Sequence, residues 1–190
     1  ISDDGRYVAF VSSATDLAAG VDVDVTPNVF VRDRDADGDG IFDETGSGET
    51  STTLLSIGID GTAAGIVGGT ATRPVISADG QFVAFASSAP DMLVDDTTII
   101  DTNGSGRDIY RASVLGGAVT RINVDGTGTG TGTGGGTAID LSISGNGGAV
   151  TFASTNPGLI SAVTGTFNDT NGRADIFVGR GNLPVEIVSA

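Results

Sequence analysis

Residues 33 to 44 read Asp33-Arg34-Asp35-Ala36-Asp37-Gly38-Asp39-Gly40-Ile41-Phe42-Asp43-Glu44, five aspartates and one glutamate in a single short stretch. Alternating aspartates let a tightly curled loop aim successive side chains at one centre, and the glycines permit the bend. Calcium accepts about six to eight oxygens in irregular geometry, whereas magnesium demands a near-ideal octahedron, so this donor set predicts Ca2+. Without a cation the carboxylates repel one another, and only Arg32 and Arg34 lie nearby in sequence to offset them.

The loop fits two registers. Counted from Asp33, it matches an EF-hand loop, with Asp33, Asp35 and Asp37 as ligands, Gly38 at the turn and Glu44 in the last ligand place. Counted from Asp35, it offers Asp35, Asp37, Asp39 and Asp43 with Gly40 at the turn. An EF-hand needs a helix on each side. Here Asn28-Val29-Phe30-Val31 precedes the loop and Ser51-Thr52-Thr53-Leu54-Leu55 follows it. Both flanks read as strands, which favours the Asp35 register inside a hairpin.

A second acidic set recurs along the chain. Asp101-Thr102-Asn103-Gly104 is followed by Asp108, Asp169-Thr170-Asn171-Gly172 is followed by Asp175, and Asp22, Asp24 and Asn28 stand in the corresponding place earlier. These residues suit a weaker calcium site. They equally suit Asx turns, or a tie from the residue opening the strand to its neighbouring strand.

Composition removes most other chemistry. The 190 residues contain no His and no Cys, so Ser-His-Asp and Cys-His catalysis, the usual zinc sites and disulfides are excluded. Nine basic against 24 acidic residues give a net charge of −15, which argues against nucleic-acid binding. No run of about 18 apolar residues is present, so membrane insertion is not expected. Paired carboxylates could serve a glycosidase, but the acids fall mainly at repeated turn positions, which points to architecture. The chain begins at Ile1 without Met or a signal-like segment, and reads as a piece of something longer.

The elements that must position the acidic loop come from an internal repeat. Ile1-Ser2-Asp3-Asp4-Gly5-Arg6-Tyr7-Val8-Ala9-Phe10-Val11-Ser12-Ser13 returns as Ile76-Ser77-Ala78-Asp79-Gly80-Gln81-Phe82-Val83-Ala84-Phe85-Ala86-Ser87-Ser88. A weaker copy is Ile143-Ser144-Gly145-Asn146-Gly147-Gly148-Ala149-Val150-Thr151-Phe152-Ala153-Ser154-Thr155, with Asn146 for the turn aspartate and Ala149 for the aromatic. The chain divides as repeat 1, 1–75; repeat 2, 76–142; repeat 3, 143–190. Each reads as four short strands bounded by turn residues. The second strand of each is apolar on both faces: Val8 and Phe10, Val83 and Phe85, Val150 and Phe152 on a bulky face, with mostly small residues on the other. That suits a sheet covered on both sides, as in stacked propeller blades. A Gly-Thr tract from Gly126 to Gly136 reads as a surface loop between blades.

The pattern Ile-Ser-x-Asp-Gly-x-Tyr/Phe-Val-Ala-Phe-x-Ser-Ser, with the later Asp-x-Asn-Gly and Asp-Ile-Phe/Tyr, resembles the PD40 repeats of TolB-like β-propellers. The Asp35 register resembles the calcium loops in hairpins of integrin-type propellers. The fold class expected is therefore all-β, a β-propeller segment of about three four-stranded antiparallel blades. Closed propellers typically need about four to eight blades, so further blades from the parent chain or another chain are expected. The resemblance implies a bacterial secreted, surface or periplasmic protein that binds a protein or peptide partner. The function expected is a non-catalytic, calcium-stabilised module for interaction or scaffolding. The alternatives are an accessory propeller beside a hydrolase domain encoded elsewhere, and a carboxylate-based glycosidase.

Overall fold

A computed structural model describes residues 1–18, 26–59, 71–92, 94, 95, 97, 106–125, 138–159, 172–181 and 183–189. The strands are β1 (Tyr7–Ser12), β2 (Asn28–Asp33), β3 (Ser51–Leu54), β4 (Ala71–Ile76), β5 (Phe82–Ser87), β6 (Asp108–Ser113), β7 (Thr120–Arg121), β8 (Ala138–Ile143), β9 (Val150–Ser154), β10 (Asp175–Gly179) and β11 (Glu186–Ser189). They form three antiparallel meanders, ordered β1-β2-β3, β4-β5-β6-β7 and β8-β9-β10-β11. The sheets pack face to face in chain order, the arrangement of a three-blade propeller segment. No helix among the described residues is long and apolar enough to cross a membrane.

Among the described residues the first sheet has three strands where four are expected. Ile1 and Ser2 align with Ile76 and Ser77, at and just beyond the end of β4. The sequence also shows no bulges. The β4–β5 ladder slips between Thr72 and Val75, and the β8–β9 ladder between Ile139 and Ser142. Pro74 occupies the first irregularity, where a missing amide donor is tolerated, and Asp140 enters the second at φ 55°.

Alternating large and small faces build the seams between sheets. Val83 and Phe85 of β5 pack with Val29, Val31 and Leu55 of the first sheet, and Ala9 joins them. On the other side of β5, Ala84 and Ala86 receive Val150 and Phe152 of the third sheet. Both faces of the middle strand are therefore buried, each bulky pair meeting the small side of the sheet before it. The stacked pairs Phe10–Phe30 and Phe152–Phe177, with the tilted Phe85–Tyr110, repeat one cross-strand contact in all three sheets.

The Ser-x-Asp-Gly turns repeat atom for atom. Ser2 Oγ donates to Asp4 Oδ1 at 2.6 Å and accepts the Tyr7 amide at 3.0 Å. Ser77 does the same with Asp79 and Phe82, at 2.7 and 3.0 Å. Asn146 substitutes without loss, its Oδ1 accepting from Ser144 at 2.9 Å and from the Gly148 amide at 3.0 Å. Each turn also bonds to the next: Asp3 N–H donates to Ala78 O at 2.9 Å and Asp79 N–H to Gly145 O at 3.0 Å. The serines closing the second strands, Ser12, Ser87 and Ser154, each accept the amide two residues on. Their recurrence is thus explained by strand termination.

Candidate metal centre

The acidic loop joins β2 to β3 and is flanked by strands, with Asp33 opposite Ser51. The paired helices of an EF-hand are absent here. Backbone bonds from Asp43 N–H to Arg34 O and from Ala36 N–H to Glu49 O, both 2.8 Å, fold the loop back on itself. Gly38 and Gly40 take φ of 78° and 89°, the left-handed region that a curled loop requires and glycine enters without penalty.

Asp35, Asp37 and Asp39 each offer a carboxylate oxygen, and the three oxygens lie within 4.8 Å of one another. Asp37 and Asp39 are exposed, while Asp35 is 5% exposed. Asp35 Oδ2 accepts the Gly40 amide at 3.1 Å, and Asp39 Oδ1 accepts the Ile41 amide at 2.8 Å. Asp35 Oδ1 is buried and has no hydrogen-bond partner. A buried carboxylate oxygen left without a donor is costly. A hard cation is the kind of ligand that relieves both this deficit and the mutual repulsion of the trio.

The other three acids of the loop are placed differently. Asp33 forms a bidentate pair with Arg6, at 2.8 and 2.9 Å, and accepts the Asp35 amide at 3.1 Å. Burial pushes its carboxyl up, but these hydrogen bonds outweigh that and hold it below the usual carboxylate range. Asp43 is gripped by Arg34, with Nε to both oxygens at 3.1 and 3.0 Å and Nη2 at 2.5 Å, which lowers its carboxyl too. Glu44 is raised, first by burial and then by the charges of Asp39, Glu49, Asp37 and Asp35, so it faces the same negative field as the trio. Arg32 donates to Thr50 and Thr52.

Asp108 and Asp175 open β6 and β10 and are both buried. Asp108 accepts from Asn123 Nδ2 at 2.8 Å, Asn123 Oδ1 accepts the Ile109 amide at 2.9 Å, and Arg121 Nε stands 3.8 Å from Asp108. In the first sheet Asn28 accepts from Ser56 Oγ at 2.8 Å, and Ser56 accepts the Val29 amide. The residue opening the third strand is thus tied to the chain leaving the fourth. Asp22, Asp24, Asp101, Asn103, Asp169 and Asn171 lie outside the described residues.

Sequence reasoning missed Asn123 and Ser56, which stand two residues beyond the ends of β7 and β3. It also missed Phe42. The Arg34 guanidinium lies over the Phe42 ring at 4.9 Å and donates through Nη1 to Gly5 O at 2.8 Å. This ties the acidic loop to the first Ser-x-Asp-Gly turn.

No protein family model matches the chain, and no curated protein does. Its backbone is similar to a solved structure described as "putative TolB from Agrobacterium tumefaciens". The identity is 18% and the TM-score 0.48, over 98% of this chain and 46% of that one. The chain thus spans under half the length of that protein.

Proposed function

We propose that the chain is a non-catalytic, calcium-stabilised β-propeller module for protein interaction or scaffolding in a bacterial secreted, surface or periplasmic protein. Further blades, from the same polypeptide or another, complete its stack. The reading rests on how the acids are used. Asp4 and Asp79 brace turns, Asp33 and Asp43 pair with arginines, and Asp108 ties two strands. Asp35, Asp37 and Asp39 converge instead, with one buried oxygen lacking a donor. That is a cation cage rather than an acid–base pair flanking a substrate bond.

Calcium removal tests it. A ligand of the native state raises stability by mass action, about 2.7 kcal/mol at a hundredfold excess over Kd. The unfolding midpoint should therefore rise with millimolar calcium, rise far less with magnesium, and fall back with chelator. An unchanged midpoint together with no calorimetric heat of calcium binding would rule the cation reading out.

A further inference from the structure

Three turn glycines of this chain lie beneath an aromatic ring carrying an arginine. At Gly80 the ring is Tyr7, with Arg6 5.1 Å from its centroid. At Gly147 it is Phe82, with Arg111 at 4.9 Å, and Arg111 also donates to Gly147 O at 3.0 Å. In both cases the ring belongs to the preceding sheet. At Gly5 it is Phe42, with Arg34 at 4.9 Å and donating to Gly5 O at 2.8 Å. A Cβ on Gly5 would meet Phe42 Cε2 at 3.6 Å and Arg34 Nη1 at 3.8 Å. This third pair comes from the acidic loop of the same sheet.

The cage residues position that pair. Asp35 holds the Gly40 amide and Asp39 the Ile41 amide, the two residues that lead into Phe42. Asp43, immediately after Phe42, holds Arg34. Three carboxylates within 4.8 Å oppose this curl through their mutual repulsion, and Asp35 Oδ1 is buried without a donor. A cation removes both costs.

We propose that one hard divalent cation of calcium size, bound by Asp35, Asp37 and Asp39, locks Phe42 and Arg34 onto Gly5, so that the loaded loop caps the first turn as a preceding blade's aromatic–arginine pair caps the other two. This rests on the cation reading above and adds to it what the cation controls.

Amide hydrogen exchange on the whole chain, with calcium or with chelator, tests the coupling. Calcium should slow exchange across Ser2–Tyr7 by about tenfold or more. The turns at Ser77–Phe82 and Ser144–Ala149, capped by sheets rather than by the loop, should change far less. Phe42→Ala should keep calorimetric calcium binding but lose most of the protection at Ser2–Tyr7. Asp37→Asn, at an exposed position, should lose both. Calcium binding with Ser2–Tyr7 exchange unchanged, or full protection in Phe42→Ala, overturns the proposal and leaves the cation site standing. Absence of calcium heat in the unmodified chain overturns both.

Discussion

Tyr7 lies against Gly80 so closely that a Cβ on that glycine would stand 2.8 Å from Tyr7 Cδ2. The contact crosses the seam between the first and second sheets, and Gly80 is at φ +70°. Two requirements meet there, a backbone conformation that L side chains avoid and a surface the neighbouring ring needs bare. The turn motif and the seam between sheets are therefore one device.

Gly80→Ala should destabilise the fold by about 2–4 kcal/mol, combining the left-handed backbone cost with overpacking against the ring. Gly38→Ala is the matched comparison, since Gly38 has φ +78° but nothing within 4 Å of a built Cβ. It should cost about 1–2 kcal/mol. Urea unfolding of both variants measures the difference, and equal losses would show that the Tyr7 contact contributes nothing.

The ion-paired acids set the response to pH. Asp33 and Asp43 have carboxyls held below their unfolded values, as does Asp4 through Ser2 Oγ and the Arg6 amide. A depressed carboxyl contributes stability that is present above the unfolded value, about 3.9, and lost as pH falls through the folded one. Glu44 has the opposite sign: its raised carboxyl contributes below its unfolded value and loses that contribution as pH rises through the folded one. In chelator, stability should hold or rise slightly on mild acidification and then fall below about pH 4. Asp33→Asn should flatten the acid limb. Urea midpoints across this range that show no acid loss in the parent chain would contradict the assignment.

Asp108 gives a buried counterpart. Its carboxylate serves Asn123 and stands beside Arg121, which is only 7% exposed. Asp108→Ala should destabilise by about 3–5 kcal/mol, because a buried cation loses its counter-charge. Asp108→Asn should cost less. Calcium heat per mole should be unchanged in the milder variant if the tie to Asn123 is its role. A lost calcium equivalent would reassign Asp108 to a metal site.

Much of this was legible in the residues. The repeat located the strands because Val-x-Phe with alternating small residues can be buried on both faces only in a stack. The acidic loop was legible because aspartates at every second position, with glycines among them, suit a tight curl. What was not legible depends on side-chain choice in space. Asp43 and Asp39 look equivalent in sequence, yet Arg34 claims one while the other converges with Asp35 and Asp37. The bond that Asp108 accepts from Asn123, 15 residues away, is likewise invisible in the spacing. The Pro74 and Asp140 bulges follow from ladder register, which a strand pattern alone does not encode.

The outer face of the third sheet supports the last prediction. Phe177 and Ile187 line the seam with the second sheet, whereas Ile176 and Val188, at the irregularity of the β10–β11 ladder, are not part of it. These two are 38% and 63% exposed. On the second sheet the corresponding side carries Ala84, Ala86, Ile109 and Ile122, and it is buried by Val150 and Phe152. The third sheet presents Ile176 and Val188 in the same role, with no later sheet among the described residues to cover them. If a further blade seats there, this chain alone should self-associate or bind a hydrophobic dye, because an apolar sheet face left in water seeks cover. Val188→Lys combined with Ile176→Thr should reduce both effects while leaving the unfolding midpoint within a few degrees. Light scattering over a concentration series reads the first effect and dye fluorescence the second. A monomeric, dye-silent parent chain would show that this face is already satisfied and would remove the case for a blade docking on it.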